Sequence, residues 1–174
     1  MKNFPVKVLE DTIVDGVNMK DKTFWISRSC AVAVFIFTKC NNEWYVLANQ
    51  RGKGCPDFVG YWSCPCGYVD YNETIMEAAK RELWEESGLS TNSIQYNLSL
   101  KFASINDKPD ENRQNITFRI VGELTTRVLL PNLSSKFSEP NEIEEQKWVP
   151  LKDIGKYNWA FGHDKLIFEM FKTL

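Results

Sequence analysis

Glu82, Glu85 and Glu86 stand at i, i+3 and i+4 in the run Arg81-Glu82-Leu83-Trp84-Glu85-Glu86, a spacing that gathers three carboxylates on one side of an α-helix. Like charges so placed repel by about 0.2–0.5 kcal/mol per pair on an exposed helix. A solvated face tolerates that cost, and the three glutamates taken alone read as a wet, acidic helix side. Their surroundings point to other chemistry. The turn Ser63-Cys64-Pro65-Cys66-Gly67 lies one short loop upstream, so backbone carbonyls and carboxylates can surround a hard divalent cation. Oxygen-only donors favour Mg²⁺ or Mn²⁺. A cation held there neutralises phosphate oxygens and lowers the pKa of a bound water, which makes a phosphate-activating site.

The helix that must carry these residues is marked at both ends. Thr74 and Glu77 have capping-box spacing and Gly88 is placed as a left-handed terminator, so the pattern predicts a helix from about Thr74 to Ser87 with Met76, Ala79 and Leu83 facing the core. Ala31 to Phe37 is a continuous apolar run of strand length and predicts a strand buried on both faces. Asn41-Asn42 then turns the chain into a second strand from Trp44 to Ala48, an antiparallel hairpin that delivers Gln50-Arg51 to a Gly- and Pro-rich loop. Further strands are expected over Ile94 to Ala103, Ile116 to Glu123 and Ile143 to Val149, the first two separated by a polar loop from Ile105 to Asn115. Leu166, Ile167, Met170 and Phe171 predict a closing helix from His163 to Phe171. Residues 1–29 carry a turn signal at Asp15-Gly16 and read as an N-terminal hairpin or cap outside the main domain of residues 30–174.

With the elements in place, Gly67, five residues, Glu73, seven residues and then Arg81 to Leu89 resemble a complete Nudix box, a far more specific pattern than a lone glycine motif. The resemblance implies an α/β fold, the Nudix α/β/α sandwich with a mixed sheet in a single domain. It implies hydrolysis of a nucleoside diphosphate linked to another group, with Mg²⁺ or Mn²⁺ as cofactor. Under it Glu82 is the general base or metal-bound base. Glu82, Glu85 and Glu86 are metal ligands, and Arg81 and Glu73 are the supporting ion pair. The resemblance also implies a metal ligand in the carbonyl before the box glycine, here the main chain of Cys66, where the sequence departs from the family's Pro-Gly-Gly. A further carboxylate outside the box is expected from the acidic run Glu142, Glu144 and Glu145 ahead of Trp148, with Glu144 or Glu145 favoured; the other reading of that run is a charged edge strand.

Arg51 is a candidate to grip a phosphate, and Phe58 and Trp62 are candidates to stack a base, with core packing as the competing reading for each aromatic. His163, the single histidine, is expected as a cap or surface residue. It cannot supply the histidine metal site of isopentenyl diphosphate isomerase, a Nudix relative. A Nudix-fold sensing module that binds nucleotide without turnover is the alternative reading. The charge balance, 21 Lys and Arg against 23 Asp and Glu in 174 residues, gives no field to hold a nucleic-acid duplex; the partner that the Nudix resemblance implies is a small nucleoside diphosphate derivative. No apolar leader or anchor is apparent, the five cysteines match no zinc spacing, and a cytoplasmic protein with reduced thiols is expected. A homodimer is left open.

Overall fold

The computed structural model describes residues 4–14, 16–109, 114–126, 129–136 and 138–174. Asp15 of the first expected turn and residues 110–113 of the expected polar loop lie outside them. At the N-terminus β1 (Phe4–Lys7) pairs antiparallel with β4 (Thr23–Ile26), and between them β2 (Ile13–Val14) pairs with β3 (Val17–Asn18). The segment is thus a hairpin within a hairpin.

The apolar run forms β5 (Cys30–Cys40), buried without a break from Ala31 to Thr38. Asn41 and Asn42, both with positive φ, turn it into β6 (Glu43–Arg51), as a tight hairpin between right-twisted strands requires. Two short strands follow, β7 (Trp62–Ser63) against β6 and β8 (Cys66–Tyr68) against β5. After α1 (Ile75–Ser87) come β9 (Asn97–Asn106), β10 (Ile116–Thr125), β11 (Ile143–Pro150) and the closing helix α2 (His163–Phe171). The sheet runs β11-β6-β5-β10-β9, with β10 parallel to β5 and the remaining pairs antiparallel.

Strand alternation sends alternate residues of β5 and β6 to opposite faces. Val34, Ile36 and Leu47 pack with Ala79 and Leu83 of α1, while Phe35, Phe37, Val46 and Ala48 pack with Ile167 and Met170 of α2. The result is an α/β/α sandwich around a mixed sheet. No helix among the described residues is long and apolar enough to cross a membrane.

Two local expectations need correction. The strand expected from Ile94 begins at Asn97, and Ile94 is fully exposed. Ser90 and Ser93 accept through their side chains the backbone N–H groups of Asn92 and Gln95, so serine turn chemistry prevails over apolar alternation there. Trp62 is buried in the core on the α2 side. Its ring meets Tyr157 edge-on at 5.3 Å and lies 4.5 Å beneath the Lys147 ammonium, so it serves as packing and not as a base-stacking surface.

Candidate active site

Helix α1 has the capping box that the sequence predicts. The Glu77 N–H donates to Thr74 Oγ1 at 3.3 Å, the Thr74 N–H donates to Glu77 at 2.8 Å, and Gly88 closes the helix with φ 71°. Both ends being satisfied, the helix is a rigid rail for the residues between them.

Arg81 organises one side of the site. Its Nε and Nη2 clasp Glu73 at 3.1 and 2.7 Å, and Nη2 also donates to the Tyr68 carbonyl at 2.9 Å. Its Nη1 bridges Glu82 Oε1 at 2.8 Å and Glu85 Oε2 at 3.1 Å. One guanidinium therefore ties the helix to the loop and to β8. The arginine's hydrogen bonds hold the Glu73 carboxyl below its usual range.

Glu82 is 7% exposed and Glu86 is 3% exposed. Burial pushes the Glu82 carboxyl up to about 7, against the pull of Arg81. Burial also pushes Glu86 well above the carboxylate range, and the neighbouring Glu82 and Glu142 charges add to it. The Glu86 Oε2 atom accepts from the Asn49 amide at 2.8 Å and from the Cys66 N–H at 3.2 Å. Gly67 has a steric role: a Cβ there would overlap the Glu82 carboxylate, so the side chain lies on bare backbone.

These surroundings fit a hard divalent cation. The acidic set of Glu82, Glu85, Glu86 and Glu142 is opposed by Arg81 and Arg51; burial and then repulsion within the set raise the carboxyls of Glu82, Glu86 and Glu142, and a cation among them would relieve that repulsion. The available donors are oxygens, since burial pushes the Cys64 and Cys66 thiols up and keeps them protonated. All five cysteines are free. Among the described residues no three metal-ligating side chains are already closed around one point; Arg81 holds Glu82 and Glu85.

The acidic run upstream of Trp148 is resolved differently from the expectation. Glu144 and Glu145 are exposed, and Glu145 pairs with Lys147 at 2.8 Å. Glu142 is the member that shares the field of Glu82, Glu85 and Glu86. A β-bulge between Ile143 and Glu145 shifts the register of β11 on β6, and a shift of this kind re-aims side chains in a way that spacing does not report.

Arg51 ends β6 on the α1 side but is already engaged, with Nη2 2.9 Å from Asp57 Oδ1, Nε 3.1 Å from the Asp57 carbonyl, and the guanidinium 4.8 Å from the Phe161 ring centroid. Phe58 is 40% exposed and meets Phe161 edge-on at 5.1 Å. Both hold positive φ, 50° and 60°, a backbone state that costs a bulky residue about 1–2 kcal/mol. His163 is buried, not a surface residue. Its Nδ1 accepts the Cys64 N–H at 3.0 Å and its ring meets Phe35 at 5.3 Å, so it braces the turn that precedes Gly67.

Asn49 and Phe161 belong to no sequence motif, and spacing alone does not separate Glu142 from Glu144 and Glu145. A trace of Asn49 was available, as a polar residue inside the buried stretch Val46–Asn49 of β6. Phe161 has no comparable trace, because its left-handed backbone arises where a 3₁₀ turn meets α2.

Comparison with known proteins agrees with this fold. Nudix hydrolase 6 of Arabidopsis thaliana is 29% identical over 133 residues, covering 76% of this chain and 43% of the relative. The m7GpppN-mRNA hydrolase NUDT17 of Danio rerio is 31% identical over 86 residues, covering 49% of this chain and 27% of the relative. The chain thus spans less than half the length of these curated relatives. Among solved structures, the NUDIX domain of Shewanella oneidensis NrtR complexed with ADP ribose superposes with a TM-score of 0.68 at 20% identity, covering 85% of this chain and 89% of that one. A C. elegans Ap4A hydrolase binary complex gives 0.58 at 20% identity, over 83% and 98%. At those identities the likeness speaks for the fold. Residues 28–170 match the NUDIX domain, and the chain belongs to that family.

Proposed function

We propose that the chain hydrolyses a diphosphate bond in a nucleoside diphosphate joined to a further group, such as a nucleotide, a nucleotide sugar or a dinucleotide. Mg²⁺ or Mn²⁺ would be held by Glu82, Glu85, Glu86 and the Cys66 main-chain carbonyl, with Glu142 as the carboxylate from outside the box. The observation that carries this reading is the buried Glu82 carboxylate lying on Gly67, within one acidic cluster with Glu86.

When bound, a divalent cation supplies charge neutralisation at the phosphate oxygens and lowers the pKa of water. Glu82, buried against Gly67, takes the proton of the attacking water. Arg81 and Glu73 fix the helix against its loop, so Glu82 keeps its aim. Arg51, held by Asp57 beside the cluster, offers a cation to the phosphate that leaves. Phe58 contributes an exposed ring at the same rim.

The test is incubation of the pure protein with nucleotides, dinucleotides, nucleotide sugars and ADP-ribose in Mg²⁺ or Mn²⁺, with products identified by chromatography. Cleavage at a diphosphate that stops on chelation supports the reading. Nucleotide binding without turnover across the panel would replace it with the sensing module; the NrtR domain, which has this fold, is itself complexed with ADP ribose. The full set of box glutamates together with Arg81 favours turnover.

A further inference from the structure

Asn49 sits in the middle of β6, fully buried, in register with Ser63 of β7 on one side and Gln146 of β11 on the other. It shares the α1-facing side of the strand with Leu47, which packs into the apolar layer beneath α1. A fully buried amide there needs a reason.

Its two ends differ. Nδ2 donates to Glu86 Oε2 at 2.8 Å, whereas Oδ1 is buried without a hydrogen-bond partner among the described residues. An unsatisfied buried carbonyl is a cost that an apolar strand residue would avoid. The amide is therefore retained for its donor end. The Cys66 N–H reaches the same carboxylate oxygen at 3.2 Å. Both donors converge on Oε2, so Oε1 is the atom of Glu86 left for another partner.

We propose that Asn49 is a positioning residue that presents Glu86 to a divalent cation, fixing Oε2 with its amide so that Oε1 is the ligating atom. The proposal rests on the metal-dependent reading of the site and adds to it a residue outside the box. Its logic is that of outer partners in metal centres: a carboxylate with one oxygen hydrogen-bonded loses rotational freedom before the cation arrives. The Cys66 N–H cannot do this alone, because a single donor allows the carboxylate to pivot about one bond. Asn49 approaches from the sheet and Cys66 from the strand beside Gly67, and together they fix the plane.

The experiment is a Mn²⁺ titration followed by the electron paramagnetic resonance signal of free aqueous Mn²⁺, with thermal melts in chelator alongside. Wild type is compared with Asn49→Leu and with Asn49→Val, the latter chosen because a β-branched residue suits a buried strand. The expected result is Mn²⁺ binding by wild type and a Kd raised about 10–100-fold in either folded variant, with a smaller Mn²⁺-induced rise in Tm. A merely structural bond would move the melts in chelator and leave Kd where it was, and that outcome in either variant overturns the proposal. If Asn49→Leu does not fold, Asn49→Val decides alone. Failure of wild type itself to bind Mn²⁺ would sink the metal-dependent reading and the role of Asn49 with it, whereas equal binding by wild type and variant sinks only the latter.

Discussion

Glu82→Gln should make the metal-free protein more stable at alkaline pH while disabling it as an enzyme. Burial raises the Glu82 carboxyl from the ordinary 4.5 to about 7, so the folded protein holds this proton more tightly than the unfolded chain does. A raised carboxyl contributes stability in full below about 4.5, and that contribution is lost as the pH climbs through about 7. At about 1.36 kcal/mol per pH unit the interval amounts to about 3 kcal/mol. Glutamine keeps the shape and is neutral at every pH, and its Oε1 can still accept from Arg81 Nη1, now 2.8 Å from Glu82. Removing the charge also relieves Glu86, on which Glu82 acts electrostatically. We therefore expect denaturant unfolding in chelator to show Glu82→Gln about 1–3 kcal/mol more stable than wild type at pH 8, with the gap closing near pH 4.5. With Mg²⁺ the variant's kcat should fall by about 10²–10⁴, the range for loss of a positioned acid–base group, and its metal-induced rise in Tm should shrink. A variant less stable than wild type at pH 8 in chelator, or a gap that ignores pH, would refute the reasoning about burial. Undiminished turnover would refute the role in catalysis.

Glu73→Gln removes the charge from the two-pronged clasp on Arg81 and should lower stability by about 1–2 kcal/mol, read as a drop of several degrees in Tm with a smaller effect on kcat than Glu82→Gln. Gly67→Ala puts a methyl group where the Glu82 carboxylate lies; we expect the carboxylate to be displaced and turnover to fall at least as far as in Glu82→Gln, and near-normal kcat would show that Glu82 works from elsewhere. Trp62→Ala empties a core position and should cost about 3–5 kcal/mol, seen in denaturant melts, whereas a stable variant with only a raised KM would restore Trp62 as a substrate contact. Chelation should abolish turnover and Mg²⁺ should restore it, measured by product formation; turnover that survives exhaustive chelation would remove the cation from the mechanism.

Elements whose causes are local can be read from the chain directly. A capping box and a glycine terminator act within a turn or two of chain, so α1 and its glutamates were legible without tertiary information. The run from Ala31 to Phe37 was legible for the same reason, since a strand covered on both faces must be apolar at every position. The resemblance to the Nudix box, from Gly67 to Leu89, identified the family and the Arg81–Glu73 pairing, because fixed spacing is itself a sequence property. Tertiary structure alone decided the partners that arrive from distant chain. Asn49 meets Glu86 across 37 residues, and His163 meets Cys64 across 99. Neither pairing leaves a periodicity. Glu142, and not Glu144 or Glu145, shares the field of Glu82 and Glu86; it stands just before β11, where its carbonyl accepts the Gly52 N–H, a contact with distant chain that spacing does not report. Trp62 shows the same limit, because an aromatic beside a loop stacks on a ligand or fills the core according to which helix covers it, and here Ile167 and Met170 of α2 lie on its side of the sheet.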